Sequence, residues 1–177
     1  MMRFMNPVLS QFPLTRWPLL LAGGSLLLML GAWGFEYIGG YAPCALCYDQ
    51  RHIHMTVIGL GLVFGLALIL RPTLAKAAPW MIFVIAAVLI YSAGFAGWHA
   101  GVEYGWWPGP ETCTTTGGTP NIDMSCLIDP ERDCPPVVLC DEAAWTLLGI
   151  SMAGYNALIS AGMAAMAVLV GLKGLKS

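Results

Sequence analysis

Charged side chains are scarce in this sequence. They make up 10% of the 177 residues, whereas soluble domains average about a quarter. Hydrophobic residues reach 58%, and the mean hydropathy is +0.71. This balance excludes a soluble globular domain and indicates an integral membrane protein. The net charge of -2 and the lack of a basic cluster or a phosphate-binding glycine loop argue against binding to nucleic acid.

Four apolar runs are separated by more polar segments, and each is long enough to cross the hydrocarbon core of a bilayer. They predict a single membrane domain over residues 1–177, with spans at 17–35, 53–70, 79–98 and 145–172. A cleaved signal peptide is the alternative for the first run. It is disfavoured because the run is long and no clear small-residue cleavage site follows it. The predicted fold class is an all-α integral membrane protein, a four-helix transmembrane bundle with a short loop (36–52) and a long loop (99–144).

Positive charges are divided unevenly between the two ends of these spans. One end carries Arg3, Arg16, Arg71, Lys76, Lys173 and Lys176, whereas the other carries Arg51 and Arg132. By the positive-inside rule, both termini are predicted to face the cytoplasm and both loops the outer side. All six cysteines then lie on the outer side, which in a bacterial cell is the oxidising periplasm.

Two cysteines form a C-x-x-C pair in the short loop. Cys44 and Cys47 follow Pro43, which favours an extended link before the next helix. Such a pair can close a reversible disulfide that stores two electrons, and it is a poor static crosslink because the loop it closes is very short. We interpret it as redox-active. Arg51, one helical turn after Cys47, would lower the free energy of the Cys47 thiolate; the alternative is a cation that snorkels to the interface.

The long loop carries four further cysteines. A loop of this length without regular structure is usually functional, and four cysteines allow three pairings. A purely structural disulfide is expected for one of the two pairs. The spacings differ from those of a zinc ribbon, so no metal site is predicted. These cysteines are Cys113, Cys126, Cys134 and Cys140.

Three histidines lie near the outer ends of the second and third spans. A haem-binding membrane electron carrier would need a pair of them as ligands. His52 and His54 are two residues apart and point in different directions on a helix, which disfavours that pair. His99 is interpreted as a headgroup or hydrogen-bonding residue. A haem carrier and a structural membrane subunit with passive disulfides remain the alternative functions.

In these motifs and this topology the chain resembles the DsbB family of disulfide bond formation proteins. Members are inner-membrane quinone reductases that reoxidise the periplasmic dithiol oxidase DsbA. The C-x-x-C pair precedes the loop cysteines, unlike the order in the vitamin K epoxide reductase type. The resemblance rests on Pro43-Cys44-Ala45-Leu46-Cys47 with Arg51, on Trp107-Pro108 ahead of Cys113, and on Cys140-Asp141-Glu142 with Trp145.

The resemblance implies an enzyme, a protein dithiol:quinone oxidoreductase that generates disulfides in the bacterial inner membrane. Cys44 and Cys47 would be the pair next to the quinone, either ubiquinone or menaquinone. Arg51 would help to hold the quinone and would stabilise the Cys47 thiolate. His99 would be a further quinone-contacting residue. The partners implied are a DsbA-like periplasmic thiol oxidase, quinone and lipid.

The resemblance also assigns the loop cysteines, with one departure. Cys113 would be attacked by reduced DsbA, and Cys140 would be its resting partner. The common pattern has two cysteines in this loop, whereas this chain adds Cys126 and Cys134. Cys113 could therefore rest against Cys126 instead, which would leave Cys134 and Cys140 as the other pair.

Overall fold

Four long helices make up most of the computed structural model, which describes residues 12–110 and 140–176. The loop cysteines Cys113, Cys126 and Cys134 lie outside the described residues. Together with short adjoining helical turns, the helices form four segments that are long and apolar enough to cross a membrane. This confirms the predicted fold class. The helices are α1 (Trp17–Trp33), α2 (Ala45–Leu70), α3 (Ala78–Glu103) and α4 (Met152–Gly174).

Short turns extend or connect these helices. Two 3-10 turns, Leu14–Arg16 and Pro72–Ala77, precede α1 and α3, and each following helix has a proline in its first turn. Proline is tolerated there because the first turn leaves backbone N–H groups without intrahelical partners. A π-helical turn, Gly34–Ile38, continues α1. Single π turns often occur at functional sites.

The N-terminus of α2 is built by the C-x-x-C motif itself. Cys44 has an extended backbone and caps the helix, because its Sγ accepts a hydrogen bond from the backbone N–H of Cys47 at 3.3 Å. The prediction that the pair lies where an extended link becomes a helix is confirmed. The helix begins at Ala45, ahead of the predicted span start at residue 53, so the cap and the first two turns lie in the predicted loop.

The third helix continues beyond its predicted end. The prediction that the long loop begins at residue 99 is wrong, because α3 runs to Glu103. Gly101 lies within the last turns of α3 because a Cβ there would collide with the Trp107 ring, which packs against the helix. His99 and Glu103 therefore share one face of the last turns of α3.

A small hairpin replaces the predicted start of the fourth span at residue 145. Strand β1 (Thr146–Leu147) pairs antiparallel with β2 (Ile150–Ser151). The two turn residues, Leu148 and Gly149, both have positive φ, as two-residue hairpins require. Ser151 then caps α4 by accepting the Gly154 N–H at 3.1 Å.

The bundle packs mainly through two helix pairs, α3 with α4 and α1 with α2, whereas α1 and α4 contact each other much less. Close approach depends on small residues, as is usual in membranes. A Cβ on Gly61, for example, would come within 2.6 Å of the Ala22 Cβ. The buried apolar core contains Trp17, Leu21, Val57, Ile82, Ile85, Ala86, Leu89, Ala164, Ala167 and Val170.

Candidate functional site

The reduced cysteine pair sits at the first turn of α2, with its two sulfur atoms 2.9 Å apart. Cys44 is buried, whereas Cys47 is partly exposed. The Cys44 thiol donates a hydrogen bond to the Cys47 sulfur, and this bond together with burial raises the pKa of Cys44 above its ordinary value. Cys44 therefore keeps its proton, and Cys47 is the sulfur placed to act as the thiolate, which is the nucleophilic form of cysteine.

A cavity of about 370 Å³ adjoins Cys47. It lies between α1, α2 and α4, and Leu147 of the β1–β2 hairpin is part of its wall. Most of its lining is apolar. Pockets of this kind, apolar with a few directed polar groups, are typical of small-molecule sites. The polar side chains on its wall are Cys47, Gln50, Arg51, His54, Glu103 and Asn156.

Arg51 lies one turn after Cys47 and lines the cavity, but much of its charge is already paired. Its guanidinium forms an ion pair with Glu36 from the π turn, and it lies over the Tyr48 ring at 5.3 Å from the centroid. Sequence reasoning missed Glu36 as a partner. The available signal was its position as an acid at the end of the first apolar run. Arg51 and Glu36 together place a dipole, rather than a free cation, beside Cys47.

His99 contacts the buried sulfur. Its side chain is 1% exposed, and Nε2 lies 3.5 Å from Cys44 Sγ and 3.9 Å from Glu103 Oε1. The other ring nitrogen, Nδ1, is hydrogen-bonded to the Gln50 side-chain amide. The structure thus places His99 against Cys44, and the cavity wall beside the dithiol is formed by Cys47, Gln50 and Glu103 instead.

A chain of hydrogen-bonded polar side chains continues from Gln50 into the bundle. Asn156 Nδ2 donates to Gln50 Oε1 at 2.6 Å, and His54 Nε2 donates to Asn156 Oδ1 at 2.8 Å. His54 also contacts Ser25 on α1 and Ser92 on α3, at 3.3 and 3.4 Å. All four helices therefore meet in one hydrogen-bond network.

The two amide residues of this network, Gln50 and Asn156, were not predicted as site residues from the sequence. Gln50 and Asn156 could have been found as polar side chains in apolar spans, where such residues are costly and usually functional. Among the histidines, His54 is buried and His52 exposed, in line with the prediction that the two point in different directions. With Asn156 and Ser25 already on its two nitrogens, His54 is a network residue.

Cys140 lies in the same buried cluster as Cys44. It is 1% exposed and packs in one cluster with Cys44 and Leu46, which Cys47 and Phe95 also contact. Cys140 is disulfide-bonded, and its bonding partner lies outside the described residues. The structure therefore places a disulfide-bonded loop cysteine in the same buried cluster as Cys44.

Three donor atoms at this site are close enough together to raise the question of a metal ion. The sulfurs of Cys44 and Cys47 and a ring nitrogen of His99 lie within 4.8 Å of one another. Two thiolates bound to tetrahedral zinc would be about 3.8 Å apart, given a Zn–S bond near 2.3 Å. The sulfurs lie closer, at 2.9 Å. This spacing suits disulfide formation better than metal binding.

Comparisons with known proteins identify the family of this chain. A family model described as "Disulfide bond formation protein DsbB" matches residues 14–170. A disulfide bond formation protein B from Stutzerimonas stutzeri (strain A1501) is 32% identical over 146 residues, covering 80% of this chain and 84% of that protein. One from Dechloromonas aromatica (strain RCB) is 29% identical over 171 residues, covering 92% and 95%. A search of solved structures found no significant match.

The family match covers α1, α2 and α3, most of α4, and the two cysteines Cys44 and Cys47. The same cysteines carried the resemblance in the sequence, and the relatives are similar over most of their own length. This multi-pass membrane protein therefore belongs to the DsbB family, whose members are named for disulfide bond formation.

Proposed function

We propose that the protein is a dithiol:quinone oxidoreductase, which reoxidises a DsbA-like thiol oxidase and transfers the electrons to membrane quinone. One observation carries the proposal: the reduced Cys44–Cys47 pair lies between a buried loop cysteine, Cys140, and an apolar cavity. A relay needs this order of electron donor, dithiol and acceptor site.

Electrons would enter through the loop cysteines. Thiol–disulfide exchange requires direct attack of one sulfur on another, and Cys140 lies in the same buried cluster as Cys44. A thiolate of the reduced partner would attack the loop disulfide, with Cys113 as the expected point of attack, and exchange would then reduce Cys44–Cys47. The pairing among Cys113, Cys126, Cys134 and Cys140 stays a prediction.

The cavity residues fit a quinone. A planar ring with two carbonyl oxygens needs an apolar slot with a few polar groups, and the cavity combines apolar walls with Arg51, Glu103 and Asn156. When bound, a quinone supplies a sink for two electrons and two protons. A DsbA-like donor is strongly oxidising, at roughly -120 mV, so a strong sink is needed. Cys47 faces the cavity as the donor sulfur, and Arg51 would offset developing negative charge.

The uneven distribution of cations supports placement in the bacterial inner membrane with the dithiol on the periplasmic side. Arg71 and Lys76 flank the α2–α3 connection, at the opposite end of the bundle from Cys44. Positively charged connections remain in the cytoplasm. Disulfide exchange with a secreted partner would then occur in the compartment where disulfides persist.

The test is quinone-dependent oxidation of a reduced DsbA-like protein by the purified chain in lipid. Cys44→Ser and Cys47→Ser are each expected to abolish turnover, because either change prevents the disulfide from forming. Thr56→Ala, an exposed hydroxyl deletion on the same helix, serves as the matched control and should keep wild-type turnover. Unchanged turnover in both cysteine variants would overturn the proposal.

A further inference from the structure

Glu103 is a buried carboxyl group that the electron route does not use. Its side chain is only 7% exposed, and the Ser151 side chain lies within hydrogen-bonding reach of the carboxyl group. Oε2 is fully buried with no hydrogen-bond partner in the described part of the chain. Burying a carboxyl oxygen without a partner is costly. Glu103 also lines the cavity beside Cys47. An unpartnered oxygen at a cavity wall is free to exchange a hydrogen bond, or a proton, with whatever the cavity binds.

The other carboxyl oxygen, Oε1, lies near His99, which in turn contacts Cys44 of the dithiol. Glu103 Oε1 lies 3.9 Å from His99 Nε2, and the same nitrogen lies 3.5 Å from Cys44 Sγ. One imidazole nitrogen thus stands between the buried thiol and the carboxyl. The spacing between residues 99 and 103 on α3 keeps both side chains on one helix face.

We propose that Glu103 is a catalytic acid–base residue, which carries the Cys44 proton from His99 to the ligand in the cavity. The inference rests on the proposed function, since it supplies the proton route for the same reaction. Electrons and protons then leave the dithiol by separate paths, the electrons through Cys47 and the proton through Cys44.

With a quinone as the acceptor, the dithiol loses two electrons and two protons, and the quinone gains two of each. The Cys44–Cys47 S–S bond forms while the Cys44 S–H bond breaks, and two electrons leave through Cys47. The proton passes to His99 Nε2, then to the Glu103 carboxylate, and finally to an oxygen of the reduced quinone. The second proton that the quinone takes up comes from water, because the Cys47 proton was released when its thiolate formed.

The amides behind His99 permit this transfer. Nε2 can accept a proton only when the ring hydrogen is on Nδ1. In the arrangement described, Gln50 donates its amide hydrogen to Nδ1; after a half-turn of the amide, its oxygen would accept from Nδ1–H. Asn156, the next residue in the chain, has the same two-sided amide. Gln50 and Asn156 are therefore positioning residues that can support either tautomer of His99.

The first test needs no quinone. Infrared difference spectra between the oxidised and dithiol-reduced full-length protein should show a change in a carboxyl band, because Glu103 gains or loses a proton or a hydrogen bond when Cys44 does. Glu103→Gln should remove this band. Asp49→Asn removes an exposed carboxylate on α2 that does not line the cavity, and should leave the band in place.

The second test separates kcat from KM for quinone. Glu103→Gln should lower kcat about 10²-fold, the scale of one acid–base group, with a much smaller change in KM. Glu103→Asp keeps a titratable carboxyl and should recover part of the loss, with a shifted infrared band. Asp49→Asn should match the wild type in both constants.

Two results would overturn the inference: a wild-type kcat in Glu103→Gln, or a wild-type infrared spectrum with no carboxyl change on dithiol oxidation. The spectrum is decisive even if Glu103→Gln fails to fold, because it uses the wild-type protein and Glu103→Asp. If the wild type did not reduce quinone at all, the proposed function would fail, and the infrared result would still decide the link between Glu103 and the dithiol.

Discussion

The half of the bundle distant from the dithiol and the half that contains it bury different kinds of side chain. The distant half packs through aliphatic residues such as Ile82, Ile85 and Leu89, all fully buried. The dithiol half buries Gln50 and His99 in a hydrogen-bond network. In lipid, apolar helices associate mainly by close packing, whereas a buried polar group must find a partner. The apolar packing that stabilises the bundle and the polar network around the dithiol therefore lie in different halves of the same helices.

The largest expected effect on stability lies in the distant half. Leu89→Ala should lower the free energy of unfolding by about 2–5 kcal/mol, because it leaves a cavity in a fully packed site. Turnover per folded molecule should remain unchanged, since Leu89 is far from the dithiol. Reversible unfolding in micelles, together with the quinone assay, measures both quantities.

Leu62→Ala is the matched control for that prediction, because Leu62 is 48% exposed on the outer face of α2. It should cost much less than Leu89→Ala. Lost turnover in folded Leu89→Ala protein would contradict the division between the two halves.

An intermediate effect is expected where the network crosses between helices. Asn156→Leu leaves Gln50 Oε1 without its partner and His54 Nε2 with only the longer contact to Ser92, which should cost about 1–3 kcal/mol. Unlike the Leu89 change, it should also lower turnover per folded molecule, because Gln50 supports His99. Ser160→Ala removes one hydrogen bond to the same Asn156 oxygen and should have a smaller effect on both quantities. Equal effects from the two variants would argue against a directed network.

The smallest expected effect is a shift in thiol reactivity with pH. The pKa of Cys44 is raised by its hydrogen bond to Cys47 and by burial. Its protonated form therefore stabilises the fold below the ordinary cysteine pKa, and this contribution is lost as pH rises through the raised value. Between about pH 7 and 9, around the ordinary pKa, alkylation of Cys44 should stay slow.

Mass spectrometry of the reduced, alkylated protein measures that reactivity at each cysteine. Cys47→Ala removes the sulfur that accepts the Cys44 hydrogen bond and should bring Cys44 alkylation to lower pH. A Cys44 alkylation profile like that of a free thiol in the wild type would contradict the assignment of Cys44 as the protonated partner.

Features set by local sequence patterns could be predicted from the sequence. Four apolar runs are local patterns, so the four-helix membrane bundle was predicted correctly, and the C-x-x-C motif with Pro43 located the α2 cap. The helix ends were less predictable. The end of α3 depends on the packing of the Trp107 ring against Gly101, and the hairpin at 146–151 depends on the positive φ of Leu148. Neither is a local sequence pattern.

The site was predicted only where its residues are neighbours in the chain. Cys47 and Arg51 are one turn apart, so their proximity followed from helix geometry. Gln50 meets residues 49 and 106 positions away, His99 and Asn156, and periodicity carries no information about such pairs. Glu103 was overlooked because it was placed in a loop, where an acid would be solvated.

The weak contact between α1 and α4 bears on how a reactant reaches the cysteine pair. The cavity is lined by both helices, and Leu147 of the hairpin is part of its wall. A ligand would therefore arrive sideways, from among the acyl chains, without first dissolving in water. Its effective concentration would be its mole fraction in the lipid, so the speed of the protein would follow membrane composition more closely than the contents of either aqueous compartment.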